Sequence, residues 1–169
     1  MDVPLWALSL SYWLHLLGTV AWIGGLAAVT LFFIPAARRI TDPDARSALL
    51  TDIQRKLDPV AWFSLVLLIG TGMMQMASNP NYDGFLAFTN NWALAILLKH
   101  IVFLGMIALS AYATWGVLPA VQRSAMLQAK GKPAPDAEKL QTRSLLILRL
   151  NLILGVVVLV FTAMARAAA

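Results

Sequence analysis

Four long apolar runs dominate the chain and leave it few choices of fold. They cover residues 4–35, 60–77, 92–118 and 145–165. About 20 apolar residues suffice to cross the hydrocarbon of a bilayer, so each run reads as a transmembrane helix. The balance of residues agrees: 60% are hydrophobic and 12% charged, against roughly 25% charge in a soluble domain. At 169 residues the length suits one domain. The expectation is an all-α integral membrane protein, a single four-helix domain over residues 1–169.

The linkers set an expected orientation. Linker 36–59 carries Arg38, Arg39, Arg46, Arg55 and Lys56, and linker 120–144 carries Arg123, Lys130, Lys132, Lys139 and Arg143. The linker between them, SNPNYDGFLAFTNN, has no basic residue. Basic loops stay cytoplasmic, so loops 36–59 and 120–144 are expected inside, with both termini outside, in the cell's inner (plasma) membrane. Short connections favour an antiparallel up-down-up-down bundle. Only Met1 and Asp2 precede Val3, so the first span lacks the basic start of a cleaved leader and reads as retained. The net charge of +5 is loop charge, and no nucleic-acid partner is implied. The partner that composition does imply is the lipid bilayer.

Against this apolar background two histidines stand out. His15 and His100 are the only two in the chain, and both lie deep in apolar runs, where an ionisable residue is costly and marks function by default. His15 lies about ten residues, roughly 15 Å, from the outer end of its span, and His100 about eight, roughly 12 Å. Both spans run from outside to inside, so the two imidazoles sit at similar depth. First and third helices are diagonal in such a bundle. With neighbouring axes about 10 Å apart at most, the diagonal gap is roughly 14 Å, which suits two imidazoles and a metal held in a flat macrocycle. Haem b fits that description. The absence of cysteine excludes only covalent haem attachment, along with disulfides, iron–sulfur clusters and thiolate zinc sites. Gly18, three residues after His15, is expected to clear room for the ring, and Trp22 to continue that face. Another metal, or structural hydrogen bonding alone, are the competing readings.

Lys99 precedes His100 directly. Adjacent helical residues point about 100° apart, so only one is expected to face the bundle centre. Lys99 either snorkels to the headgroups, meets a haem propionate, or is itself the second ligand. Farther along, GMMQM places Met73, Met74 and Met76 at the outer end of the second span. Thioethers suit Cu(I), although Met is more often apolar filler. Trp6, Tyr12, Trp13 and Trp92 read as part of an interfacial belt. Asn151 is a buried polar candidate with no named partner. The acidic residues all fall in loops or at ends, so no proton relay is visible.

Several stretches carry a resemblance. HLLGTVAWIGGL in the first span, RKL followed by LIGTGMM in the second, LLKHIVFLGMIALSAYATWGVLP in the third and LGVVVLVFTAMA in the fourth resemble the membrane domain of the copper resistance protein D (CopD) family. The first helix, with its histidine seven residues before a tryptophan and then GGL, also resembles the related HemJ family, as does RLN at residues 149–151. The HemJ resemblance implies that His15 and Lys99 lie at a haem and that the activity is protoporphyrinogen oxidation.

The leading expectation is a haem b-binding, cytochrome-like electron-transfer or redox module, with His15 and His100 as axial ligands and one haem between helices one and three. Two protein ligands leave no open position for oxygen chemistry, so an electron carrier is favoured over an enzyme. Quinol or an extracytoplasmic redox protein would be its partner, either in a larger membrane complex or as a homo-oligomer. The alternatives are CopD-like copper transport or handling through His15, Met73, Met74 and Met76, and a HemJ-like oxidoreductase.

Overall fold

The computed structural model describes residues 3–86 and 88–168. It contains four long helices, α1 (Leu5–Ala37), α2 (Pro43–Ala77), α3 (Asn91–Gln128) and α4 (Ala137–Ala167), each with a stretch apolar enough to cross a membrane. No strand occurs among the described residues. At 1.5 Å per residue the helices are roughly 45–57 Å long, well beyond a hydrocarbon core of about 30 Å. Their ends therefore project past it.

That projection changes the reading of the linkers. Most of 36–59 is helix, because α2 begins at Pro43 and runs on through Pro59. Likewise α3 continues past residue 118, and α4 starts at Ala137. Basic residues end a membrane span without ending a helix, since Lys and Arg are good helix formers. Lys56 even adds an i,i+4 pair to Asp52 at 2.9 Å. The stop signals are elsewhere. Asn90 caps α3 by accepting the Ala93 N–H at 2.7 Å, as a good N-cap does. At the other end Gly131 takes a left-handed φ of +65°. The Lys132 N–H then closes back on the Leu127 carbonyl at 2.9 Å, the pattern of a Schellman stop.

The helices form an antiparallel up-down-up-down bundle. α1 packs chiefly on α2, and α3 on α4; the two pairs meet more thinly along α1/α4 and α2/α3. In lipid, helix association draws on close packing and interhelical hydrogen bonds rather than on expelled water, and both are present. A Cβ at Gly18 would lie 3.2 Å from Leu68 Cγ and 3.5 Å from the Ser64 carbonyl, so that glycine brings α1 against α2. Gly155 faces Met106 on α3 and Ile23 on α1, where a Cβ would lie at contact distance, 3.4 and 3.5 Å. Trp22, Leu65, Leu68, Met106 and Val158 make a core to which every helix contributes.

A second cluster, Met76, Trp92, Ala93, Ala95 and Ala165, closes the end that holds the 78–90 connection. Trp92 is thus a core residue, 6% exposed, and not part of a surface belt; Trp6 and Trp13 are exposed. Only 17–28% of each apolar stretch is buried within the protein. The remaining helix surface requires an apolar surrounding, as a bilayer supplies.

Three turns depart from α-helical spacing. α1 widens to π-type turns at Val20–Gly24 and Val29–Phe33, and α3 does so at Tyr112–Val117. Such turns are frequent at functional sites, and all three border the cavities described next.

Candidate functional site

A polar seam joins α1 to α2. Ser11, His15, Gly18 and Trp22 repeat at helical spacing along one side of α1, and Ser64, Leu68, Thr71 and Gln75 do so on α2. Ser11 Oγ donates to the Thr71 carbonyl at 3.2 Å, and Gln75 Nε2 donates to the Ser11 carbonyl at 3.1 Å. His15 Nδ1 lies 2.8 Å from Thr71 Oγ1. The Thr71 hydroxyl already gives its proton to the Leu67 carbonyl at 2.6 Å, so it accepts from the imidazole. The proton of a neutral His15 is therefore on Nδ1, and the Nε2 lone pair is left available.

His100 reaches the same state by a local route. Its Nδ1 lies 2.7 Å from the Ile96 carbonyl one turn back, which can only accept. Its Nε2 is likewise left as a lone pair, without a hydrogen-bond partner among the described residues. Phe85, from the 78–90 connection, sets its ring edge-on to the imidazole at 5.3 Å between centroids.

Both histidines line one cavity of about 420 Å³ at the end of the bundle that holds the 78–90 connection. All four helices contribute to it. Lys99, Trp22, Met73 and Met76 also border it. Lys99 and His100 thus both face the cavity, against the expectation that only one could. The space is broad enough to span the 100° between them, so a choice between the two directions does not arise.

Other expected residues fall elsewhere. Gly18 is packed on Leu68 and does not line the cavity; the face it shares with His15 is covered by α2. The glycine that makes room at His15 is Gly72, where a Cβ would lie 3.4 Å from His15 Cε1. Met74 also stands outside the lining.

Sequence reasoning missed Thr71, Gln75 and Arg166. Arg166, from the last turn of α4, borders the cavity together with Lys99. Among the described residues no Asp or Glu lines it, and Lys99 has no ion pair. The cavity is therefore apolar in its walls, cationic in its charged groups, and equipped with two imidazole lone pairs. Among the described residues no three His, Cys, Asp or Glu side chains gather as a metal site.

A second, smaller cavity of about 110 Å³ lies toward the other end, nearer the basic connections. Asp58 and Asn151 line it, and Trp22 borders both cavities. Asp58 stands within α2, so the acidic residues are not confined to loops and ends.

Comparison with known proteins gives one result. No curated protein and no solved structure matches the chain. A family model described as CopD, copper resistance protein D, matches residues 51–165. That range holds most of α2, all of α3 and most of α4, with Lys99 and His100, and leaves out α1 with His15. The matched range is more than half of the chain, and the protein belongs to the copper resistance protein D family.

Proposed function

We propose that this CopD-family membrane protein binds haem b in the larger cavity and serves as an electron-transfer module. The observation that supports this most is the pair of histidines in one cavity, each with Nδ1 committed to a protein acceptor and Nε2 left free. A hydrogen bond at the far nitrogen orients a ligating imidazole and raises its basicity. His15 and His100 would hold the iron. Lys99 and Arg166 would face the propionates, since the charge-bearing part of the wall is wholly cationic. Trp22, Phe103 and Leu68 supply apolar surface for the ring. A cavity of about 420 Å³ falls within the usual range of roughly 300–1,000 Å³ for cofactor pockets. Haem b, when bound, supplies one-electron chemistry at a potential tuned by ligand type and burial. Position near one end of the bundle suits exchange with quinol or a redox protein on that side.

The test is the visible spectrum of the purified protein, oxidised and then reduced. Sharp low-spin α and β bands that vanish in His15→Ala are expected. A colourless preparation that carries copper by elemental analysis would sink the reading.

Copper handling is the second reading. It is favoured by Met73 and Met76, whose side chains border the same cavity as His15, and by the name of the family. Thioether and imidazole suit Cu(I). Lys99 and Arg166, with no carboxylate beside them in the described lining, weigh against a bare cation there.

A further inference from the structure

The smaller cavity holds a different chemistry. Its lining from α1 is apolar apart from backbone. α2 brings Gln54 and Asp58, α3 brings Ser110 and Thr114, and α4 brings Ser144 and Asn151. Asp58 is the one charged residue among them. Its Oδ1 accepts from the Thr114 hydroxyl at 3.4 Å, and no hydrogen bond is made to Oδ2 among the described residues. Thr114 sits in the widened turn of α3.

Asn151 adds an independent sign. It is 3% exposed, and its Nδ2 donates to Ser110 Oγ at 2.7 Å. Its Oδ1 is buried with no partner among the described residues. A buried amide oxygen left bare is destabilising, so native proteins supply a partner from protein, water or an ion. The chamber is roomy enough, since about 10–15 Å³ of such volume holds one water. Asp58 stands two residues before the apolar run 60–77, and it lines this internal chamber. Carboxylate, amide oxygen and hydroxyl oxygens together form a hard, acceptor-rich set, the reverse of the cationic cavity beyond Trp22. Hard oxygen donors select hard cations.

We propose that this chamber is a site for a small monovalent cation, a proton or an alkali ion, taken by the Asp58 carboxylate with the Asn151 amide oxygen as its second acceptor. The site does not depend on what the larger cavity binds. One carboxylate matches one positive charge, and a divalent metal would leave charge uncompensated. The proton and the alkali ion share this chemistry and differ in how they are competed away.

The experiment uses the full chain in phosphatidylcholine vesicles and dicyclohexylcarbodiimide, an apolar reagent that couples only to protonated carboxyl groups. Labelled positions are read by peptide mass spectrometry in sodium-free choline chloride over a pH series, and again with NaCl. Asp58 is expected to label, and exposed Asp52, paired with Lys56, is not. Labelling of Asp58 should fall as pH rises. Protection by NaCl at constant pH identifies an alkali ion; a pH dependence indifferent to NaCl identifies the proton. Asn151→Ala should shift the midpoint of either titration about tenfold in concentration. Asp58 labelling no more than Asp52, or labelling independent of both pH and NaCl, overturns the site. So does an unchanged midpoint in Asn151→Ala. The wild-type arms need no variant to fold.

Discussion

His15 on α1 donates through Nδ1 to the hydroxyl of Thr71 on α2, 2.8 Å away. The hydroxyl is fixed as an acceptor because its own proton goes to the Leu67 carbonyl. One hydrogen bond thereby joins two helices and selects a tautomer. Thr71→Val keeps the shape and removes the acceptor. Haem affinity, measured by absorbance titration with hemin, should fall about 10–100-fold. The melting transition should record a loss of about 1 kcal/mol, as for one hydrogen bond. Thr71→Ser should behave as wild type in both.

Three alanine variants separate the ligands. His15→Ala should abolish low-spin bands outright. If His100 is the second ligand, His100→Ala gives a high-spin spectrum, while Lys99→Ala retains the bands with weaker binding. The opposite outcome, haem kept low-spin in His100→Ala and lost in Lys99→Ala, would point to a HemJ-like oxidase in place of a bis-histidine carrier.

Arg166→Gln tests the cationic wall. An exposed or half-buried charge contact is modest, so hemin affinity should drop roughly five- to tenfold, near 1–1.4 kcal/mol. The loss should shrink for the dimethyl ester of hemin, which lacks carboxylates. An equal loss for both forms would mean that Arg166 acts only through packing.

Two glycines should respond differently. Gly18→Leu forces a side chain against Leu68, where even a Cβ sits at 3.2 Å, and should cost about 1–3 kcal/mol in thermal or denaturant unfolding. Gly72→Leu pushes on the His15 ring instead, whose Cε1 is 3.4 Å from a Cβ. It should shift the Soret band and lower hemin affinity by more than its effect on stability accounts for.

Orientation can be read with single cysteines, because the chain has none of its own. Leu86→Cys, in the connection between α2 and α3, and Lys132→Cys, between α3 and α4, lie at opposite ends of the bundle. An impermeant maleimide added to intact cells should label Leu86→Cys alone if the basic connections are cytoplasmic. Labelling of Lys132→Cys alone reverses the topology.

His15 and His100 were legible because an imidazole in an apolar run has no bland surroundings to explain it. Spacing and parallel direction then placed them at one depth, and they do border one cavity. Thr71 was not legible in that way. A hydroxyl in a membrane helix normally bonds back to its own carbonyls, and nothing in LIGTGMM marks that this one also accepts from a neighbour. Gly18 illustrates another limit: sharing a face with His15 does not say whether that face meets a cavity or a helix, and here it meets Leu68. Asp58 was hidden by reading basic residues as the end of a helix. Arg166 was hidden because it lies one residue past the end of the fourth apolar run, 145–165. In both cases polarity along the sequence marks the bilayer boundary, and only packing tells which charged side chains turn inward.

The pairing of α1 with α2 and of α3 with α4 has a mechanical consequence. Each pair is tied internally by close glycine contacts or extensive packing, while the larger cavity runs along the thinner contacts between pairs. Its width is therefore set by how closely the two pairs approach, and Gly155 stands where α4 meets both Ile23 and Met106. A guest too thick for the gap meets resistance from whole helices rather than from single side chains. One methyl at Gly155 would sit at contact distance, 3.4 Å from Met106 and 3.5 Å from Ile23, so the helices keep their spacing with an alanine there and must part for anything larger.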